Sequence, residues 1–128
     1  MAPAMQRILL VDDDPDSSEP LSLLLQSKGH QTRIATDGAE AISVADEFKP
    51  NCVLLDLGLP RMDGYEVARR LRKRPYGREV VLVALTGWAG RDVRTKAAEA
   101  GFDYHIVKPV NWDEVEKIVR SVARPAPS

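Results

Sequence analysis

Residues Asn51-Cys52-Val53-Leu54-Leu55-Asp56-Leu57-Gly58-Leu59-Pro60 constrain the fold more than any other stretch: an unbroken apolar run stops on a carboxylate and passes into Gly and Pro. The run is too short for a helix and shows no polar alternation. It therefore predicts a strand buried on both faces, as found inside a parallel sheet covered by helices. Asp56 then stands at the carboxyl end of that strand, and in open α/β sheets the crevice beyond those ends is where ligands bind. Taken alone, an Asp ahead of Gly and Pro reads equally well as the start of a turn.

The rest of the chain supplies the partners such a strand needs. Arg7-Ile8-Leu9-Leu10-Val11 is a second short aliphatic run and ends in Asp12-Asp13-Asp14-Pro15. Pro15 opens a helix capped by Asp14, with Leu21, Leu24 and Leu25 as its apolar stripe and Gly29 as its stop. Pro20 falls within that stripe and blurs where the helix begins. Gln31 to Ala35 is a brief strand. Thr36 and Asp37 offer caps for a helix carrying Ala41, Ile42, Ala45 and Phe48, which ends before Pro50. After the Gly58-Leu59-Pro60 turn, Asp63 caps a helix through Val67, Ala68 and Leu71 to Arg74. Glu79 to Leu85 is a fourth strand, and Thr86-Gly87-Trp88-Ala89-Gly90 turns into a helix over Val93, Ala97 and Ala98. Tyr104 to Val107 is a fifth strand ending at Lys108-Pro109, and a last helix from about Asn111 carries Val115, Ile118, Val119 and Val122.

Five strands alternating with five helices in 128 residues predict a single α/β domain, a flavodoxin-like doubly wound five-stranded parallel sheet with helices on both faces. Its body spans about residues 6–123, and 124–128 read as a frayed tail. A net charge of -1 and a pI near 6.1 provide no general attraction to nucleic acid or to an anionic membrane. The basic run from Arg69 to Arg74 reads as a solvated helix end, where cations complement the helix dipole. Cys52, the only cysteine, reads as a small buried residue in a reducing compartment. No stretch reaches the ~20 apolar residues needed to cross a bilayer, and the first residues lack a signal peptide pattern, so a cytoplasmic protein is expected.

The polar residues collect at one set of strand ends: Asp12, Asp13 and Asp14 after the first strand, Asp56 after the third, Thr86 after the fourth and Lys108 after the fifth. Carboxylates ~5–6 Å apart repel by about 3 kcal/mol per pair at an effective dielectric near 20. A hard divalent cation relieves such crowding, and an all-oxygen ligand set suits Mg2+ or Mn2+. With an ammonium from Lys108 and a hydroxyl from Thr86, the group describes a site for an incoming phosphoryl group with Asp56 as nucleophile.

These residues resemble the receiver domain of two-component response regulators over nearly the whole chain. The resemblance is carried by Val11-Asp12-Asp13, by Leu55-Asp56-Leu57-Gly58-Leu59-Pro60 with Met62-Asp63-Gly64, by Leu85-Thr86 and by Lys108-Pro109. The stretch from Gly101 to Val110 is similar to receivers found within or beside hybrid histidine kinases. The resemblance implies that Asp56 accepts phosphate from a histidine kinase or histidine phosphotransfer protein. It also implies that Asp13, Asp56 and the Gly58 carbonyl bind Mg2+ directly and that Asp12 does so largely through water. Thr86 and Lys108 would hold the phosphoryl oxygens, the Lys108-Pro109 bond would be cis, and the signal would pass to a downstream protein or a homodimer. Such a domain promotes its own phosphorylation and dephosphorylation and is not an enzyme acting on a separate substrate.

Two residues depart from the commonest pattern of that family or stand out beside it. His105 occupies the place, three residues before the lysine, where the family usually has a switching Tyr or Phe; it reads first as a solvated strand residue. Trp88 either shields the phosphoryl group and slows its hydrolysis, or packs on its own loop or forms part of a docking face. Competing functions are a non-phosphorylated interaction domain and a Mg-dependent phosphatase of the haloacid-dehalogenase type. The latter's Thr or Val four positions after the nucleophile is Asp16 here. A nucleotide or flavin module is disfavoured because neither Gly-x-Gly-x-x-Gly nor a phosphate-loop motif occurs.

Overall fold

The computed structural model describes residues 5–59, 62–88 and 90–122. In chain order the elements are β1 (Arg7–Val11), α1 (Pro15–Ser27), β2 (Gln31–Ala35), α2 (Gly38–Phe48), β3 (Cys52–Asp56), α3 (Gly64–Arg72), β4 (Val81–Thr86), α4 (Arg91–Ala100), β5 (Tyr104–Val107) and α5 (Trp112–Val122). Every strand pair is parallel, and the order across the sheet is β2-β1-β3-β4-β5. The expected flavodoxin-like, doubly wound architecture is therefore present. Pro60 and Ala89, read as turn residues, and 123–128, read as the end of the body and its tail, lie outside the described residues.

Strand alternation divides the core into two layers. Leu9, Val11, Val53, Leu55, Leu82 and Ala84 face one side and pack with Ala41, Ala45, Val67, Ala68, Leu71 and Ala97 of α2, α3 and α4. Ile8, Leu10, Cys52, Leu54, Val83 and Leu85 face the other side and pack with Leu25, Val115, Ile118 and Val119 of α1 and α5. β3 is covered on both faces and all five of its residues are buried, which is why it has no polar alternation. The sheet edges are β2 and β5, where burial is incomplete.

Helix starts follow their capping residues. Asp14, Asp37 and Asp63 each accept a hydrogen bond from a first-turn amide, at 3.0, 2.8 and 2.9 Å. Gly64 begins α3 where no larger residue fits, since a Cβ there would lie 2.8 Å from the Leu57 backbone and 2.9 Å from the Asp56 carbonyl oxygen. α3 is thereby seated directly against the end of β3.

Several boundaries and faces differ from expectation for physical reasons. α1 runs through Pro20, whose ring lies on the exposed side. Its buried face is Ser18, Ser22 and Leu25, whereas Leu24 is 44% exposed. Polar residues are accommodated there because Ser22 Oγ shares a 2.7 Å hydrogen bond with Thr32 Oγ1, which also accepts from Gln26. β4 is displaced toward the site, from Val81 to Thr86 instead of Glu79 to Leu85, so Thr86 is held by the strand rather than by the turn. On α4, Ala100 is buried in place of Ala98.

Arg72 is not a solvated member of its basic run. Its guanidinium donates to the carbonyls of Gly77, Val80 and Gly101 and to Asp103 Oδ2 at 2.7 Å, and Asp103 Oδ2 accepts the Leu82 amide at 2.9 Å. The fork ties the end of α3 to β4 and to the α4–β5 turn. Arg72→Met leaves those acceptors unpaired and lowers stability by about 3 kcal/mol; a denaturant midpoint equal to that of wild type would contradict this role. Burial, then the Asp103 charge, push the Cys52 thiol up to about 12. A thiol reagent at pH 8 is therefore expected to modify Cys52 only under unfolding conditions, with modification tracking loss of circular dichroism.

Candidate functional site

Strand order reverses between β1 and β3, and their carboxyl ends lie side by side with that of β4. That crevice receives the residues singled out in the sequence. Asp12 and Asp56 are buried, Asp13 is exposed, and one carboxylate oxygen from each lies within 4.8 Å of the others. Lys108 at the end of β5 reaches across: its Nζ donates to Asp56 Oδ2 at 2.9 Å and stands 3.7 Å from Asp12 Oδ2. The Lys108-Pro109 peptide is cis. Burial opposes the Lys108 charge, but the hydrogen bond to Asp56 and the charges of Asp56 and Asp12 outweigh it and raise its pKa above the ordinary lysine value.

The polar side chains at these strand ends share one local device. Asp12 Oδ1 accepts the amide of Asp14 at 2.9 Å, Asp56 Oδ1 accepts the amide of Gly58 at 2.8 Å, and Thr86 Oγ1 accepts the amide of Trp88 at 3.1 Å. Each is a side-chain oxygen capturing the backbone N–H two residues on, a turn that Asp and Thr form readily. For the two acids this fixes one oxygen and leaves the other, Oδ2, toward Lys108. For Thr86 it uses one lone pair of the hydroxyl, whose proton is donated to the Trp88 carbonyl at 3.4 Å; among the described residues the hydroxyl bonds to no carboxylate.

The structure thus unites Asp12, Asp13, Asp56 and Lys108, with Thr86 beside them at the end of β4. Gly58 lies at the rim with its amide on Asp56 Oδ1, and a Cβ there would rest in ordinary contact, 3.5 Å from that oxygen. Asp14 is engaged as the α1 cap. Trp88 is 68% exposed, and its indole folds onto Gly90 of its own loop. His105 is not simply solvated: its Nε2 is inaccessible and has no hydrogen-bond partner. Burial and then the Arg94 charge lower its pKa, with the facing Trp88 carbonyl acting in the opposite direction. Sequence reasoning missed the three amide donors. The Asp-x-Asp and Asp-x-Gly spacings were the available signal.

Three carboxylates around one ammonium leave excess negative charge in a partly buried pocket. The donor set is all oxygen, with Asp13 exposed and able to meet an ion from solvent. These residues fit a hard divalent cation such as Mg2+ or Mn2+. Among the described residues no helix is long and apolar enough to cross a membrane.

Comparison with known proteins agrees with this geometry. A family model described as the response regulator receiver domain matches residues 8–120. A 14.6 kDa protein of Leptolyngbya boryana is 34% identical over 91% of this chain and 89% of its own length. The DNA-binding response regulator MtrA of Mycolicibacterium smegmatis is 40% identical over 93% of this chain, which spans 51% of that relative. Among solved structures, the chemotaxis protein CheY4 of Vibrio cholerae superposes with a TM-score of 0.87 at 26% identity, covering 93% of this chain and 99% of that one. The receiver domain of the sensor histidine kinase PA1611 from Pseudomonas aeruginosa, with a magnesium ion coordinated in its active site cleft, gives a TM-score of 0.84 at 32% identity, covering 94% and 98%.

Calorimetric titration with Mg2+ is expected to show one site that Asp13→Asn weakens by about tenfold or more. Lys108→Ala, which removes a competing positive charge, should retain that site and tighten it by about tenfold. Loss of Mg2+ binding in Lys108→Ala would contradict this account of the electrostatics.

Proposed function

Because the chain belongs to the response regulator receiver family, we propose that it takes a phosphoryl group from a histidine kinase or histidine phosphotransfer protein onto Asp56. The reaction depends on Mg2+ or Mn2+, and the protein signals the event through a shift in conformation. The observation that carries the reading is Asp56 itself: the residue is 8% exposed, its carboxylate is paired with Lys108 at 2.9 Å, and Asp12 and Asp13, which follow β1, lie beside it.

An attacking Asp56 oxygen forms the new O–P bond as the P–N bond to the donor imidazole breaks. Asp12, Asp13 and Asp56, with the Gly58 carbonyl, would hold the cation, which when bound offsets the charge of the transferring group. Lys108 already touches Asp56 and supplies a fixed ammonium to a phosphoryl oxygen. The Gly58 amide keeps the carboxylate from rotating. Thr86 Oγ1 can keep the bond it accepts from the Trp88 amide while its hydroxyl proton, directed at the Trp88 carbonyl 3.4 Å away, turns to a phosphoryl oxygen. An added charge of about -1.5 to -2 provides the pull. Switching the population almost completely requires roughly 5.5 kcal/mol of differential stabilisation, and partial shifts need less.

The donor's approach is suggested by the groove beside the pocket. It has a volume of about 270 Å³, shares Lys108 with the site, and is lined by Leu21, Leu24, Pro109, Val110 and Trp112. An apolar surface of this kind suits a helix of the donor protein that presents its phosphohistidine at the rim. The onward partner is a downstream protein or a second copy of the chain. Cys52, buried and free, fits the reducing cytoplasm in which this reading places the protein.

Incubation with a small phosphodonor and Mg2+ should add one hydroxylamine-sensitive phosphoryl group to the wild type and none to Asp56→Asn. Full labelling of that variant would overturn the assignment.

A further inference from the structure

α2 and α3 pack on the sheet face opposite α1 and α5, and a groove between them lies apart from the residues that gather around Asp56. It has a volume of about 370 Å³. Ala39 and Ile42 of α2 and Met62 of the β3–α3 loop line it with apolar groups; Arg70 of α3, with Lys73 and Arg74 just beyond that helix, lines it with cations. A smaller hollow of about 210 Å³ shares Ala39 and Met62 and continues to Asp37 at the start of α2. The two helices approach closely at Gly38, where a Cβ would lie 2.8 Å from Val67 Cγ2 and 3.0 Å from Met62 Cβ.

The guanidinium groups along the groove are held in place without being buried. Arg70 Nε pairs with Glu66 at 3.0 Å and stays 53% exposed, while Arg74 Nε pairs with Asp46 at 3.3 Å and stays 40% exposed. Asp46 is fixed in turn by the Tyr76 hydroxyl at 2.7 Å. Lys73 is exposed and has no carboxylate partner among the described residues. Arg69 and Arg78, also exposed, add positive charge to the same stretch of a chain whose net charge is -1. A cation or two in the last turn would complement the α3 dipole. That role does not account for an apolar groove running between those cations and α2.

We propose that this groove docks an acidic amphipathic helix of a partner protein. One or two apolar side chains of that helix rest on Ala39, Ile42 and Met62, and Asp or Glu side chains beside them meet Arg70, Lys73 and Arg74. Methionine adapts to differing apolar shapes, and arginine is enriched where proteins meet. With Asp37 at one end and the cations at the other, the groove is polarised, so the acidic residues of the partner belong over the end of α3. A nucleic acid suits it less well. Its phosphate backbone has no use for the apolar lining, and its dense charge would meet Glu66, Asp46 and Asp37 as well as the cations. The inference does not rest on the reading of Asp56 as phosphoacceptor.

The experiment uses the intact protein and two labelled synthetic peptides of roughly 18 residues, long enough to form a helix on binding. Both carry Leu at i, i+3, i+4 and i+7 spacing; one has Glu at the flanking positions and the other Lys. Backbone amide NMR locates binding, and fluorescence anisotropy measures it. The Glu peptide is expected to move the resonances of Ala39, Ile42, Met62, Lys73 and Arg74, and to bind about tenfold or more tightly than the Lys peptide, with an affinity that falls as salt is added. Lys73→Glu reverses a charge that has no partner to lose. Ala39→Glu places an acid in the first turn of α2, where the helix dipole favours it, so folding is preserved. Each substitution should weaken the Glu peptide by about fivefold or more. Failure of the Glu peptide to move the groove resonances, equal affinity for the two peptides, or an affinity unchanged by both substitutions would overturn the proposal. Displacement of the Glu peptide by a DNA duplex of arbitrary sequence would also overturn it and assign the groove to nucleic acid.

Discussion

The contact between Lys108 Nζ and Asp56 Oδ2 is the interaction on which the site depends. It joins the end of β5 to the end of β3 across the intervening β4, and Asp12, just beyond β1, lies 3.7 Å from the same ammonium. Three acids brought together by strand order alone would repel one another. A sheet that placed them side by side without a cation would open its crevice or protonate an acid. Lys108 removes part of that penalty while leaving negative charge in excess, so the pocket stays receptive to a divalent ion. The raised lysine pKa and the metal-like grouping of Asp12, Asp13 and Asp56 express this same balance.

The backbone completes what the ion pair begins. Asp12, Asp56 and Thr86 each close a short turn on the amide two residues ahead, at three neighbouring strand ends. In the acids this turn immobilises a carboxylate that has work to do. In Thr86 it orients a hydroxyl whose proton faces the Trp88 carbonyl at 3.4 Å. Under the proposed function, the preorganised acids receive the phosphoryl group and that weakly held proton is free to turn toward one of its oxygens.

Much of this was readable from the chain. β2 and β5 have their expected bounds because edge strands of four or five residues are framed by Gly, Asp and Lys-Pro, and the acid pocket followed from locating strand ends. The features that escaped are those in which tertiary partners override residue type. Ser18 and Ser22 are buried on α1 because Ser22 finds Thr32 across on β2, so the leucine stripe misplaced the helix face. Arg72 belongs to a run of cations, yet three carbonyls and Asp103 converge on it from segments distant in sequence. His105 looks solvent-facing in a strand of alternating character, yet its Nε2 is inaccessible, and Arg94 and the Trp88 carbonyl lie close enough to bias its charge.

The two rims of the sheet have a consequence for how crowded molecules of this protein behave. A parallel sheet with such an apolar centre exposes unpaired peptide groups along its outermost strands, and these are the templates on which fibrillar stacking starts. Here β5 is only four residues long, and β2 carries Arg33 on its exposed surface, with the guanidinium 5.5 Å from the Phe48 ring. Brevity at one margin and a charge at the other deny a neighbouring chain the long, neutral strand it would need to extend the sheet. The protein should therefore tolerate high concentration without intermolecular β-pairing.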